Sequence, residues 1–200
     1  GSYAAIESGQ LTDALVCLTA GLPKRLLTAP RGTRVRDRVF ECTPARSTQL
    51  FHKLLGLVGA RQDGDGGQGL SHVLMGAGSV GPDRLCTPLH MQGIIPGHAY
   101  ALLGAFDLCQ GGSDAKQQLL QLRNPWGQGR PSKPAWRGAW SDGSAEWSRN
   151  PGAKQAVGYE QKHDWSFFIC MEDFCQLFGC VYVCDVLPAD WHVATAHGAW

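Results

Sequence analysis

Residues 97–103 read Gly-His-Ala-Tyr-Ala-Leu-Leu, and residues 119–127 read Leu-Leu-Gln-Leu-Arg-Asn-Pro-Trp-Gly. Each stretch belongs to an apolar run of strand length, and the segment 111–116 between them has the composition of a turn. The two stretches therefore predict neighbouring antiparallel strands at 99–108 and 118–123. Because the turn joins the far ends of these strands, His98 and Asn124 are predicted to lie together at the opposite end.

The rest of the chain places helices before strands. Apolar residues at helical spacing predict a helix over 10–20 that stops at Gly21, and a second helix that Ser47 caps and that ends at Gly59. The other predicted elements are strands at 72–77, 165–170 and 180–187, a strand near 35–40, a short helix over 172–178 that stops at Gly179, and a mostly irregular segment over 124–163. Helices followed by an antiparallel sheet indicate an α+β fold.

Composition excludes several classes of protein. An apolar fraction of 44% can form a core, so the chain is not disordered, and a net charge of +1 does not favour a nucleic-acid partner. The arginine-rich stretch 30–38 is interpreted as a solvated loop. No apolar run has the length of a membrane span, so no membrane span is predicted.

The cysteines indicate a reducing compartment. None of the eight cysteines forms a C-x-x-C pair, which argues against a zinc ribbon or a redox motif. The last four lie in an apolar stretch, where a thiol behaves as a small hydrophobic group. We expect reduced, buried thiols in a cytoplasmic protein. The chain carries no signal-peptide pattern and opens on Gly-Ser-Tyr, as expected for a piece of a longer protein.

His98 and Asn124 have the chemistry of half a thiol-protease site. An imidazole within reach of a thiol takes its proton and stabilises the thiolate, and a carboxamide oxygen holds the ring in one tautomer without adding charge. A structural hydrogen bond is the ordinary role of a histidine at a strand end. Gly97, which permits close backbone approach, and the rigid strand that follows favour the catalytic role.

Pro125 and Trp126 extend this hypothesis. Proline fixes the backbone beside Asn124, and the indole of Trp126 is placed to cover the bond between His98 and Asn124 and exclude water from it. Packing in the core is the alternative role of Trp126, and the two roles are compatible.

The chain resembles the calpain family of cysteine proteases. The likeness rests on Gly1-Ser2-Tyr3, a helix ending Leu18-Thr19-Ala20-Gly21, Gly97-His98-Ala99-Tyr100, Leu122-Arg123-Asn124-Pro125-Trp126-Gly127, Trp136-Arg137-Gly138-Ala139-Trp140-Ser141-Asp142 with Glu146-Trp147, Asp173-Phe174 and the strand at 180–186. The closing stretch and Leu74-Met75-Gly76-Ala77 look more like the small-optic-lobes branch than the calcium-dependent enzymes.

This resemblance implies a papain-like fold split into two subdomains. The first carries the nucleophilic cysteine and the second carries histidine and asparagine. Residues 1–187 match the second, an antiparallel sheet with a few helices, and 188–200 are expected to lead towards a following domain. No cysteine of this chain has the sequence context of the nucleophile, and Cys17 lies inside a helix. The partner is therefore an upstream cysteine-bearing subdomain, and the chain alone is predicted to be inactive.

The resemblance also implies a calcium site, because calcium-dependent members bind the ion in this subdomain through acidic side chains. Asp142 and Asp164 match two of those positions. Ala135 and Ser166 stand where two other acidic residues are expected. Losing carboxylates weakens a site for a hard cation, so we expect calcium binding to be weak or absent, and no other cofactor is predicted.

Two functions remain open at this stage. The first is the half of a calpain-type endopeptidase in which His98 is base and then acid, Asn124 orients it, Trp126 shields the pair, and the substrate is a protein or peptide bound beside residues 93–97. The second is a non-catalytic calpain-like module that binds or regulates a partner. Intact His98 and Asn124 favour the first. A papain-type lysosomal enzyme is disfavoured because signal sequence and disulfide spacing are lacking.

Overall fold

An antiparallel β-sheet flanked by helices forms the described part of the chain. The computed structural model describes residues 11–27, 44–59, 73–80, 92–108, 117–126, 136–162 and 164–187. Within them six strands form one sheet, so the predicted α+β class is confirmed. Among the helices of these segments, none is long and apolar enough to cross a membrane.

The elements match most of the predicted ones. The helices are α1 (Leu11–Thr19), α2 (Pro44–Gly59), α3 (Ala145–Arg149), α4 (Pro151–Ala156) and α5 (Met171–Leu177). The strands are β1 (Leu22–Leu27), β2 (Val73–Ser79), β3 (Ala99–Asp107), β4 (Gln118–Arg123), β5 (Ser166–Cys170) and β6 (Phe178–Asp185). Strands β2 to β6 lie within two residues of their predicted bounds at each end. The predicted strand near 35–40 lies outside the described residues.

The strand order in the sheet is β1-β6-β2-β3-β4-β5. Strands β3 and β4 pair antiparallel from Ala101 with Arg123 to Asp107 with Gln118. The residue that precedes β3 and the residue that follows β4 are therefore at the same end of the sheet, as the two quoted stretches predict. The register shifts between Leu102 and Gly104, which lets one strand carry an extra residue.

Alternation along β4 and β5 supplies two separate cores. On one face Leu120, Leu122, Phe167 and Ile169 pack with residues of α2 and α5. On the opposite face Leu119, Phe168 and Cys170 pack with the rings of Trp140, Trp147 and Tyr159. Successive side chains of a strand point to opposite faces, so the leucines of β4 and the apolar residues of β5 are divided between the two cores.

The sequence prediction omits β1. Its residues include Pro23, Lys24 and Arg25, which give it the composition of a loop. In the described residues β1 is the outermost strand beside β6, where proline and charged side chains are tolerated. Lys24 pairs there with Asp185 of β6.

Several helices begin or end at residues other than those that the sequence predicts. Ser47 is not the cap of α2, because the helix begins at Pro44, a residue suited to the first helical position, and the Ser47 hydroxyl donates to the Pro44 carbonyl. Gly179 does not end α5, because Phe178 starts β6 directly after the helix and Gly179 lies inside that strand. Beyond α1 the left-handed backbone belongs to Ala20, with φ of 51°, rather than to Gly21.

The segment 124–163 is also more regular than predicted. It contains α3 and α4, two short helices joined at Asn150. The Asn150 side chain donates through Nδ2 to the Glu146 carbonyl at 2.9 Å. The sequence pattern does not predict these two helices, because each is too short to show a full helical period.

Candidate active site

His98 and Asn124 form a direct hydrogen bond at the end of the β3–β4 pair. Nε2 of His98 lies 3.0 Å from Oδ1 of Asn124. Asn124 is only 6% exposed, and its backbone N–H donates to the Trp165 carbonyl at 3.0 Å. The backbone of Asn124 is thus tied to the segment that leads into β5.

The chain that follows Asn124 fixes the orientation of its amide. The backbone N–H of Trp126 donates to Oδ1 at 3.1 Å, and Pro125 between them has no N–H to compete. Because a backbone N–H is always a donor, the amide atom that it meets must be the oxygen. Nε2 of His98, bound to the same oxygen, must then carry its proton, which places the lone pair of the neutral ring on Nδ1.

Two aromatic rings flank the imidazole. The Trp126 ring lies with its centroid 4.0 Å from that of His98 at an interplanar angle of 46°. The Tyr100 ring meets His98 edge-on at 5.0 Å and 78°. Tyr100 is buried, whereas Trp126 is 52% exposed, so the imidazole lies between the protein interior and an indole at the surface.

Tyr100 also holds the loop before His98. Its hydroxyl accepts a hydrogen bond from the Ile95 backbone N–H at 2.9 Å, and its ring packs edge-on against Phe167 and Phe178. Burial raises the pKa of Tyr100 to about 12. The hydroxyl therefore stays protonated at neutral pH and is a structural partner rather than an acid–base group.

The loop that leads into His98 depends on glycine. Gly93 and Gly97 adopt φ values of 98° and 64°, in the region that side chains disfavour. The Gly97 N–H donates to the Val80 carbonyl at 2.8 Å, which ties the loop to the end of β2. This close approach is the role that the sequence predicts for Gly97.

Comparison with known proteins assigns the chain to a family. The family model described as calpain family cysteine protease matches residues 1–185, a range that contains both His98 and Asn124. The chain belongs to the calpain family of cysteine proteases. The predicted family is therefore confirmed.

Calpain relatives align over the whole chain. Calpain-type cysteine protease DEK1 of Zea mays is 30% identical over 201 residues, which cover 100% of this chain and 8% of that protein. Calpain-12 of Mus musculus is 27% identical over 211 residues, covering 100% of this chain and 24% of that protein. Calpain-5 of Mus musculus is 27% identical over 220 residues, covering 100% and 30%. The chain spans less than a third of each of these calpains.

Asp164, the first calcium candidate of this calpain chain, is engaged by its own neighbours. Its Oδ1 accepts hydrogen bonds from the backbone N–H and the hydroxyl of Ser166 at 2.9 and 2.6 Å. These bonds, with the charge of Arg123 as a smaller cause, hold the pKa of Asp164 below its ordinary value. The Asp164 carbonyl accepts from Arg123 Nε at 3.1 Å.

Asp142, the second candidate, belongs to a different local network. It is exposed and lies beside Tyr159, whose hydroxyl accepts from the Gly143 N–H at 3.1 Å. Burial first, and the Asp142 carboxylate second, raise the pKa of Tyr159. Among the described residues no group of three or more His, Cys, Asp and Glu side chains could hold a metal. Calcium also accepts backbone carbonyl ligands, so weak or absent calcium binding by this chain stays a prediction.

None of the described cysteines is bonded in a disulfide. Four are buried (Cys170, Cys175, Cys180 and Cys184), as predicted, whereas Cys17 of α1 is exposed, contrary to the expectation that all are buried. Burial raises the pKa of Cys170 to about 12, which makes its thiol inert at neutral pH. Cys42, Cys86 and Cys109 lie outside the described residues.

Sequence reasoning missed the contact of Ser79 with the site. Ser79, the last residue of β2, binds the backbone of His98 through its hydroxyl. A lone serine beyond a predicted strand carries no motif, and only the pairing of β2 with β3 brings it to His98.

Proposed function

We propose that residues 1–187 are the His/Asn-bearing subdomain of a calpain-type cysteine endopeptidase whose nucleophilic cysteine belongs to an upstream subdomain. The observation that carries the proposal is the bond between His98 Nε2 and an amide oxygen whose orientation the Trp126 N–H dictates. That bond leaves Nδ1 as the nitrogen that takes the thiol proton. The chain alone is expected to hydrolyse no peptide, because it lacks that thiol.

The first half of the reaction forms an acyl-enzyme. The thiol proton moves to His98 Nδ1, and the thiolate attacks the carbonyl carbon of the scissile peptide bond, whose π electrons move to oxygen. As the C–N bond breaks, the imidazolium returns the proton to the leaving amine. A thioester remains on the cysteine.

The second half regenerates the enzyme. Water attacks the thioester carbon while His98 Nδ1 takes a proton from it. Collapse of this tetrahedral species breaks the C–S bond, releases the carboxylic acid product and restores the thiolate beside the imidazolium.

Asn124 and Trp126 support the imidazole throughout. The amide oxygen accepts from Nε2 in both protonation states, so the ring keeps one plane as its charge changes. The indole at 4.0 Å limits access of water to this bond on the surface side. Trp126 thus shields the pair without taking part in proton transfer.

The substrate is proposed to be an extended stretch of a protein or peptide. It would lie between the two subdomains, with the loop 93–97 as part of the wall. Fixation of this loop by Tyr100 and Val80 supports that role, because a rigid wall loses little entropy when a peptide binds. The small-optic-lobes branch within the family stays a prediction.

The decisive experiment replaces the base in the full-length protein. His98→Ala should reduce peptide cleavage by at least about a thousandfold, because the thiol loses its proton acceptor and the thiolate its counter-charge. His52→Ala is the matched control, since His52 is an exposed histidine of α2. Both variants should keep the circular-dichroism spectrum of the parent.

The outcomes separate the two functions. Full turnover by His98→Ala would refute the assignment of the base. An unmodified full-length protein that neither cleaves peptides nor reacts with a thiol-directed peptide electrophile would instead support the non-catalytic calpain-like module.

A further inference from the structure

Ser79 occupies an irregular position at the end of β2. The pairing of β2 with β6 shifts register between Gly78 and Ser79, so Ser79 faces Phe178 out of step with the preceding pairs. The side chain is only 8% exposed. A buried hydroxyl in such a place needs hydrogen-bond partners of its own.

Those partners are the backbone of His98 and the loop before it. The Ser79 hydroxyl accepts from the His98 N–H at 2.8 Å. It lies 2.6 Å from the Ile95 carbonyl and 3.1 Å from the His98 carbonyl, so its single proton is best directed to Ile95. The Ser79 N–H donates to the His98 carbonyl at 2.9 Å.

The hydroxyl takes the place of a strand carbonyl. The carbonyl of Val80, the residue after β2, already accepts from the Gly97 N–H at 2.8 Å. The Ser79 side chain supplies the acceptor for the next N–H, that of His98. Without it, a part-buried donor beside the imidazole would lose its partner.

We propose that Ser79 is a positioning residue for His98, an inference that rests on the proposed function. By binding the N–H of His98 and the carbonyl of Ile95, it fixes the backbone from which the imidazole projects. The ring is thereby kept in line with Asn124 on one side and with the incoming thiol on the other. Ser79 itself touches neither substrate nor thiol.

The test is made on the full-length protein with Ser79→Ala. We expect kcat to fall roughly tenfold to hundredfold, because small displacements of a catalytic group cost rates of this order. The basic limb of kcat/KM against pH should move to lower pH, since a looser bond to Asn124 stabilises the imidazolium less. Ser79→Thr keeps the hydroxyl and should recover most of the rate.

A second measurement does not depend on peptide binding. Iodoacetamide is small enough to reach the nucleophile without binding as a peptide, and its reaction rate follows the thiolate fraction. In Ser79→Ala the onset of alkylation should move to higher pH, because a displaced imidazolium stabilises the thiolate less. This shift is not expected from a loss of folding stability alone.

Thr19→Val is the matched control. The Thr19 hydroxyl also makes local bonds, donating to the Leu15 carbonyl at 2.7 Å and accepting from the Gly21 N–H at 3.1 Å. It contacts Cys184, which pairs with Leu74 near the start of β2, far along the strand from Ser79. Thr19→Val should leave kcat and both pH profiles unchanged.

Each outcome bears on one proposal. Parent-like kcat and alkylation profiles in Ser79→Ala would overturn the role of Ser79 while leaving the protease assignment intact. An inactive parent would contradict the proposed function and, with it, the positioning role of Ser79.

Discussion

The carboxamide of Asn124 does more than orient an imidazole, because its oxygen also accepts the Trp126 N–H. One atom thereby couples the turn at Pro125 to the tautomer of His98. The residue types and their order predicted the pair, since two strands joined at one end must present their other ends together. The second bond to Oδ1 was not predictable, because it depends on how tightly the chain turns after β4.

Replacement of the Asn124 side chain tests this coupling. Asn124→Ala in the full-length protein should lower kcat roughly tenfold or more, because the imidazole loses the partner that fixes its plane. It should also reduce stability by about 1–3 kcal/mol, because the Trp126 N–H loses its acceptor. Peptide-cleavage rates measure the fall in kcat, and chemical denaturation measures the loss of stability.

Asn150→Ala controls for that loss of stability. Asn150 is the other asparagine of the chain, and its amide closes the junction of α3 and α4. Its replacement should destabilise the protein without lowering kcat. A comparable fall in kcat for both variants would mean that Asn124 acts on folding alone.

At the scale of elements, Leu102 and Leu103 are neighbours on β3 with opposite environments. Leu102 is 1% exposed and packs in the core, whereas Leu103, at the register shift, is 40% exposed. Leu102→Ala should therefore cost about 2–5 kcal/mol of unfolding free energy, as buried leucines do. Leu103→Ala should change it by about 0.5 kcal/mol or less.

Urea unfolding of the two variants compares the same substitution at adjacent positions. Equal losses would place both side chains in the core and contradict the difference in their exposure. The comparison thus tests the strand that carries His98 without altering the site.

The strands and helices differ in how clearly the hydrophobic pattern of the sequence predicts them. Strands β3 and β5 are largely apolar, and β4 carries three leucines, so all three were predicted closely. Strand β1 was missed because Pro23 and its cations are tolerated at a sheet edge, which only the assembled sheet reveals. Helices α3 and α4 were missed because packing of Trp147 against Tyr159, rather than periodicity, stabilises them.

At the scale of the whole molecule, the region of the calcium candidates is fastened by the chain itself. Arg123 binds the Asp164 carbonyl, Asn124 binds the Trp165 carbonyl, and Ser166 binds the Asp164 carboxylate. The bonds of Arg123 and Asn124 join the end of β4 to the residues that precede β5, and Asn124 is also the partner of His98. A metal ion is therefore not needed to hold these two strand ends together.

Calcium should accordingly have little effect on the stability of this chain. A ligand that binds only the folded state raises the unfolding temperature, so the expected weak or absent binding predicts little or no shift. We expect thermal unfolding of the isolated chain to give the same midpoint in millimolar calcium and in chelator. Magnesium at the same ionic strength controls for general screening of charge. The contrary outcome is a rise in the midpoint that is specific to calcium and is abolished by Asp164→Asn. It would show that Asp164 exchanges its bonds to Ser166 for a metal, and that hydrogen bonds alone do not hold the ends of β4 and β5 together.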